Sequence, residues 1–159
     1  MQNVIDMSDE QQTSPPEWHF PLLGLDVSER RIGLAVADHP VAPPQSLFTY
    51  ARLTRARDVA HCVEWVQRYS IGAVVVGLPL NMDGTVGPRA VWIRRFAREL
   101  QRQVAVPVLL QDERLSTCEA EELLEAQGLN RTARAERVDA VAAALILQRF
   151  LLEHPMESR

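Results

Sequence analysis

An aspartate among apolar residues, Asp26, is the feature that most constrains how this chain can fold. It stands near the end of the apolar segment 22–27, and a short polar turn leads to a second apolar segment, 31–37. Two such segments joined by a tight turn predict an antiparallel pair of strands. A carboxylate inside a sheet is costly to bury unless it is paired with a cation or coordinates a metal. The sequence therefore predicts a cation-binding site at the end of the first strand.

The remaining apolar segments alternate between strand-like and helix-like patterns. The predicted strands after the hairpin are 46–50, 73–76 and 106–111, and the predicted helices are 54–69, 88–103, 116–128 and 135–153. This order predicts an α/β fold in which a central mixed five-stranded sheet, an antiparallel meander plus parallel strands, is flanked by helices.

The length of 159 residues fits a single domain. We expect a disordered tail over residues 1–19, one folded domain over residues 20–153 and a short C-terminal tail over residues 154–159. No apolar segment approaches the roughly 20 residues of a membrane span, and the N-terminus lacks the features of a secretory signal. These patterns predict a cytoplasmic protein without a membrane partner.

Charge does not decide whether nucleic acid is a partner. The net charge is −4, but four acidic residues lie in the first 20, so the remaining acids balance the 17 basic residues, all arginine. Arginine suits phosphate recognition, while genomic base composition explains the absence of lysine equally well. The charge balance neither supports nor excludes nucleic acid.

Acidic residues at three places suggest a divalent-metal site. Asp26 and the pair Asp112–Glu113 end predicted strands, and Asp139 lies in the last helix, on a face with small alanines. If the two strands are parallel neighbours, their carboxylates converge at one edge of the sheet. Hard oxygen ligands select Mg²⁺ or Mn²⁺, and the scattered histidines and two cysteines offer no zinc site.

Each acid also has a purely structural explanation. Asp26 could bind turn amides, and either Asp112 or Glu113 could favour the start of the following helix. Asp139 could form an ion pair with Arg134 or with Arg137. We take Glu113 as the ligand and Asp112 as its supporting neighbour.

Four segments resemble, in order, the YqgF/RuvX family and together cover nearly everything from residue 22 to residue 152. They are 23–27 with 30–38, then 76–84, then 112–117, and finally 138–143. The resemblance implies a ribonuclease H-like fold and a bacterial nuclease, either a Holliday junction resolvase or a maturation factor for the small-subunit ribosomal RNA precursor. It also implies that Asp26, Glu113 and Asp139 form the metal-binding, catalytic triad.

The chain departs from the pattern at two places. Ser28 stands where the family usually has glycine, so this turn carries a side chain. Better-known resolvases that resemble this family have an acid after the strand equivalent to 73–76, where this chain has Gly77 and Leu78. The second carboxylate would then come from Glu113, which leaves the choice between one and two metal ions open.

Several further residues are candidates for holding nucleic acid. Arg30, Arg31 and Arg114 flank the acids and could grip a phosphate, or could simply balance the acidic charge. Other candidates are Asn81 in a turn, Ser116 and Thr117 near a predicted helix start, and Arg134 before the last helix. No base-reading motif accompanies them, so we expect recognition of shape and phosphate geometry.

These patterns leave three hypotheses. The first is a Mg²⁺- or Mn²⁺-dependent endonuclease acting on a four-way DNA junction or on ribosomal RNA precursor, with a homodimer if a junction is cut symmetrically. The second is a noncatalytic nucleic-acid-binding ribosome-assembly factor. The third, ranked last, is nucleotide binding, which would need a second closing domain that 159 residues cannot provide.

Overall fold

A twisted six-stranded sheet carries helices on both of its faces. The computed structural model describes residues 4–5, 17–113 and 131–155, and gives only the backbone of residues 4–5 and 131–137. The strands are β1 (Val4–Ile5), β2 (Leu22–Val27), β3 (Arg31–Ala37), β4 (Gln45–Ala51), β5 (Ala73–Leu78) and β6 (Val108–Asp112). The described helices are α1 (Arg55–Arg68), α2 (Pro88–Gln103) and α3 (Arg131–Glu153).

The strand order is β1-β6-β5-β2-β3-β4. β2 pairs antiparallel with β3 and parallel with β5, and β5 pairs parallel with β6. The five predicted strands and the mixed character of the sheet are therefore confirmed. The two-residue strand β1, which the sequence did not predict, pairs parallel with β6 at one edge.

The condition set for the two acid-bearing strands is met only in part. β2 and β6, which supply two of the acidic positions, are not neighbours, because β5 lies between them. All three strands run parallel, so their carboxyl ends still meet at the same edge of the sheet.

Alternate residues of the strands pack against different helices, as the pleat of a strand requires. Leu23 and Leu25 of β2 join a core cluster with α1 and α2. Leu22 belongs to a second cluster, formed with the α3 residues Ala143 and Leu147. Asp26 follows Leu22 at an even spacing and so points to the α3 side of the sheet.

The helix α3 crosses β2, β3 and β4 at very short range. A Cβ atom on Gly33 of β3 would overlap the backbone carbonyl of Asp139. Ala142 and Ala143 are completely buried, as the predicted alanine face requires. Small residues on both sides thus allow the helix backbone to touch the sheet and fix Asp139 above it.

The last helix is longer than predicted. It begins at Arg131 rather than near Ala135, so the final part of the segment between the two predicted helices is helical. The predicted helix 116–128 lies outside the described residues.

Part of the predicted N-terminal tail packs against the folded domain. Trp18 and Phe20 pack edge-on, and Trp18 also contacts Phe150 of α3, so ordered packing begins before residue 20. The predicted tails stay predictions, because most of residues 1–16 and the last four residues lie outside the described part. Within that part, no helix combines the length and apolarity needed to cross a membrane.

The contact between Gly33 and α3 predicts an unusually large effect of a single methyl group. Gly33→Ala should lower the free energy of unfolding by about 1–3 kcal/mol, since the backbone of α3 must shift to admit the Cβ atom. Gly87→Ala is the matched control, because its Cβ would approach only the Asn81 side chain, at 3.2 Å. Denaturant unfolding measures both variants, and equal stability would contradict this account of the contact.

Candidate active site

Three carboxylates supplied by separate elements lie at the carboxyl edge of the sheet. Asp26 is the fifth residue of β2, Glu113 follows β6 directly, and Asp139 lies in α3. Their exposed fractions are 2%, 7% and 8%, respectively. Acidic side chains are rarely so buried unless they are paired or bind a cation. The depth of burial separates these three from an ordinary surface cluster.

Glu113 reaches Asp26 across the intervening strand β5. The backbone N–H of Glu113 donates to the Leu78 carbonyl, at 3.1 Å, which continues the pairing of β5 with β6 by one residue. A Cβ atom on Gly77 would come within 2.8 Å of Glu113 Oε2 and 2.5 Å of Ile146 Cδ1. Glycine at position 77 therefore leaves the space that the Glu113 carboxyl group occupies.

The carboxyl groups of Asp26 and Glu113 lie within hydrogen-bonding range of each other, so the two groups titrate as a pair. Among the described residues, Asp26 Oδ1, Glu113 Oε1 and Asp139 Oδ2 are buried oxygens without a hydrogen-bond partner. Buried acceptors left unsatisfied cost free energy. The cost indicates that these oxygens are arranged for a ligand rather than for the stability of the fold.

Burial governs the protonation of all three groups. Desolvation raises the pKa of Glu113 to about 9, with further contributions from the charge and hydrogen bond of Asp26. Burial also raises the pKa of Asp26, a shift that the Glu113 hydrogen bond opposes and the Asp139 charge reinforces. The pKa of Asp139 rises through burial as well, and the charges of Arg31 and Arg89 oppose that rise. Without a cation, Glu113 therefore holds a proton at neutral pH.

Asp139 is directed partly towards an arginine. Arg31 Nε lies 3.1 Å from Asp139 Oδ2, a distance that defines an ion pair although the angles do not make a hydrogen bond. The side chain of Arg31 is 46% exposed. Asp139 therefore forms an ion pair, as the structural explanation expected, but its partner in the described residues is Arg31.

Arg89 is a site residue that the sequence analysis missed. It lies in the first turn of α2, and its Nη2 donates to the Val27 carbonyl, at 3.2 Å, one residue beyond Asp26. Its charge lowers the pKa of all three carboxyl groups. The position of Arg89 directly after Pro88, at a predicted helix start beside the loop 77–84, was the available signal.

The donor set fits a hard divalent cation, because its buried and unsatisfied atoms are all carboxylate oxygens. In the described part of the chain, however, no group of three or more potential ligands already stands at metal-binding spacing. Asp26 and Glu113 form the close pair, and Asp139 is the outlying member beside Arg31. The carboxylate oxygens thus suit a divalent cation. In the described residues, however, Asp139 lies apart from the close pair of Asp26 and Glu113.

The structure accounts for other candidates in different ways. Asp112 is half-buried and acts on Glu113 as a neighbouring charge. Ser28 closes the β2–β3 turn: its hydroxyl donates to the Arg31 carbonyl, at 3.0 Å, and accepts from the Arg31 amide. The Asn81 side chain donates to the Thr85 hydroxyl, at 2.9 Å, which is turn chemistry.

The remaining candidates are less constrained. Arg30 is exposed on the same turn, where a phosphate could reach it. Arg114, Ser116 and Thr117 lie outside the described residues, and only the backbone of Arg134, within α3, is described. Their predicted roles stay predictions.

Comparison with sequence families and known proteins gives a consistent set of relatives. The model of the family RuvX, described as Holliday junction resolvase, matches residues 21–153. A protein of Anaeromyxobacter dehalogenans named "Putative pre-16S rRNA nuclease" is 49% identical over 129 residues, which are 81% of this chain and 94% of that protein. A Thermoanaerobacter pseudethanolicus protein of the same name is 38% identical over 131 residues, which are 82% of this chain and 94% of that protein.

Solved structures share the fold at low sequence identity. RuvC of T. thermophilus in complex with a Holliday junction substrate matches with a TM-score of 0.55 and 19% identity, covering 85% of this chain and 96% of that one. The Fowlpox virus resolvase in complex with Holliday junction DNA matches with a TM-score of 0.54 and 9% identity, covering 86% and 100%. The predicted ribonuclease H-like fold is confirmed.

The raised pKa of Glu113 predicts how stability depends on pH in the presence of a chelator. Folding binds a proton to Glu113, so the stability from this group is present at low pH and is lost as the pH rises from about 4.5 to about 9. Glu113→Gln removes this titrating group. The free energy of unfolding of the variant should therefore rise relative to that of the wild type by on the order of 1 kcal/mol per pH unit across that window.

Thermal and denaturant unfolding between pH 5 and pH 9 measure this difference. Glu17→Gln, which makes the same substitution at an exposed position, is the control and should show no such trend. Parallel stability curves for Glu113→Gln and the wild type would contradict the proton-holding site.

Proposed function

This chain belongs to the RuvX family of Holliday junction resolvases, and we propose that it is a nuclease that hydrolyses phosphodiester bonds in structured nucleic acid with the help of a divalent cation. Membership of the family agrees with the four sequence motifs. The observation that carries the proposal is the buried pair of Asp26 and Glu113, whose unsatisfied oxygens lie at the carboxyl edge of a ribonuclease H-like sheet. Such an edge is where α/β sheets bind their ligands.

In this proposal Asp26, Glu113 and Asp139 are the catalytic carboxylates and hold Mg²⁺ or Mn²⁺. When bound, the cation supplies charge neutralisation at the scissile phosphate and makes water a better nucleophile. Asp26, Glu113 and Asp139 would hold the cation through their carboxylate oxygens. The water oxygen bonds to phosphorus as the P–O bond to the leaving nucleotide breaks, and the proton given up by the water balances the proton taken up by the leaving oxygen.

Arginines supply the second part of the site. Arg89 is exposed, lies next to the carboxylates and can bind a phosphate oxygen of the scissile bond. Arg31, whose Nε now faces Asp139 at 3.1 Å, would become available for the same purpose if Asp139 held a cation instead. Arg30 extends this arginine rim along the turn. The rim recognises backbone phosphates and carries no base specificity.

We propose the ribosomal RNA precursor as the first substrate to test. The sequence relatives of 38% and 49% identity carry a pre-16S rRNA nuclease name. A four-way DNA junction is the second candidate, since the family description names it. The names of these relatives favour an enzyme over the noncatalytic assembly factor.

The two substrates require different oligomeric states of the protein. Symmetric cutting of a junction needs two active sites and hence a homodimer, whereas cutting of a precursor RNA at one site needs a single chain. Both activities belong in the cytoplasm, which stays the predicted location.

Substitution of Asp26 tests the assignment most directly. Asp26→Asn should reduce cleavage at least about a hundredfold, because one catalytic carboxylate loses its charge while the fold keeps its shape. Labelled precursor RNA, four-way junction and plain duplex are incubated with Mg²⁺, Mn²⁺ or chelator. Asp38→Asn, an exposed acid at the end of the neighbouring strand, is the control and should cut like the wild type.

Cation binding gives a second readout without turnover. Mn²⁺ should raise the unfolding temperature of the wild type and of Asp38→Asn more than that of Asp26→Asn. Cleavage by Asp26→Asn at the wild-type rate would refute the catalytic assignment.

Arg89 provides a separate prediction. Arg89→Gln should lower kcat/KM about ten- to a hundredfold, because the scissile phosphate loses a charged donor beside the carboxylates. Arg95→Gln, an exposed arginine one to two turns further along α2, should change the rate less than twofold to threefold at the same ionic strength. Equal losses in the two variants would mean that Arg89 contributes only general positive charge.

A further inference from the structure

An open cavity of about 530 Å³ lies beyond the carboxyl end of β2, on the side of the sheet that packs against α1 and α2, and Arg89 links it with the carboxylates, which face α3. Its apolar walls are Val27, which follows Asp26 directly, and Pro88 and Ile93 at the start of α2. The charged and aromatic parts of the lining are Glu29, Arg52, Arg89 and Trp92, and Ser28 is the remaining polar residue. The volume lies within the range of about 300–1,000 Å³ that is common for small-molecule sites.

One wall of the cavity is a rigid stack of two planar groups. The Arg52 guanidinium carbon lies 4.2 Å from the centre of the Trp92 ring. Arg52 Nε donates to Asp58, at 2.9 Å, and one Nη atom donates to the carbonyls of Ser28 and Glu29. Only 13% of the Arg52 side chain is exposed. The guanidinium is thus fixed in place before any ligand arrives.

A buried carboxylate holds the stack in place. Asp58 is completely buried and accepts from the Leu53 amide, at 3.0 Å, as well as from Arg52, so it ties Arg52 to the chain segment before α1. The ring of Phe96 also stacks with that of Trp92, with the centroids 5.8 Å apart. Arg52 and Phe96 thus hold the Trp92 ring in place, and both the Arg52 guanidinium and the Trp92 ring line the cavity.

Arg89 connects the cavity with the carboxylates. It lines the cavity, donates to the Val27 carbonyl and acts electrostatically on Asp26 and Glu113. A nucleotide whose phosphate meets Arg89 would have its base close to the wall formed by Arg52 and Trp92. Unstacked bases bind such planar aromatic and guanidinium surfaces.

We propose that this cavity receives an unpaired nucleotide next to the scissile phosphate, with its base against the wall formed by Arg52 and Trp92. This inference rests on the proposed nuclease function and narrows its substrate class. The enzyme cuts beside nucleotides that can leave the stack, such as those at branch points, bulges or single-stranded ends. Fully paired duplex leaves the cavity empty and is bound more weakly.

An abasic residue combined with a Trp92 variant tests the proposal. The substrate is the precursor RNA or the four-way junction, whichever the wild type binds and cuts. Binding is measured in chelator, with an abasic residue placed in turn at each of the three positions on either side of the mapped cut. Trp92→Leu removes the ring, Trp92→Phe keeps a flat surface, and Trp18→Leu is the control at a distant aromatic contact.

At one position the abasic residue should weaken wild-type binding about fivefold or more, as Trp92→Leu should weaken binding of the intact substrate. The two losses should not add, because both remove the same contact. Trp92→Phe should recover most of the affinity, and Trp18→Leu should bind like the wild type. Unfolding midpoints of all variants exclude loss of folded protein as the cause.

Additive losses, or full affinity in Trp92→Leu, would overturn the cavity proposal while leaving the nuclease intact. Absence of binding to either substrate by the wild type would overturn the proposed function and the cavity proposal together. The abasic series and the wild-type control thus separate the two failures.

Discussion

The burial of two carboxyl groups side by side constrains the rest of this structure. Asp26 lies on β2 and Glu113 directly follows β6, two parallel strands separated by β5, and the surroundings of both groups favour their protonated forms. An apolar pair of similar shape would fill the same space without the cost of unsatisfied acceptors. The fold nevertheless surrounds the pair with small residues, a tightly packed helix and two nearby arginines. The energetic cost is understandable only if a charged ligand offsets it during function.

The arginines at this edge of the sheet differ in how firmly they are held. Arg31 and Arg89 approach the carboxylates from the turn and from α2 and are exposed, Arg31 with 46% of its side chain. Arg52 lines the neighbouring cavity and is fixed by Asp58 and the turn carbonyls. Exposed arginines can follow a phosphate as it moves, whereas the fixed arginine can only offer a surface of constant shape. Mobility and rigidity are therefore divided between different arginines within one small region.

Sequence reasoning recovered the sheet and the identity of the buried acids, because alternation, β-branched runs and strand-end carboxylates are local patterns. Asp26 and Glu113 could be found in this way. The order of the strands could not, since only tertiary pairing decides that β5 separates β2 from β6. Arg89 was missed because its importance comes from the packing of α2 against the end of β2. The pairing of β1 with β6 depends on a segment of two residues, too short for any periodic signal.

The space above Gly77 has an evolutionary consequence. A single added carbon at this position would come within 2.8 Å of the Glu113 carboxyl group and 2.5 Å of the Ile146 side chain, so any side chain there must displace the tips of both. An acid at position 77 and the present Glu113 would therefore compete for the same space. Selection that moves the second carboxylate from one strand to the other should act on positions 77 and 113 together.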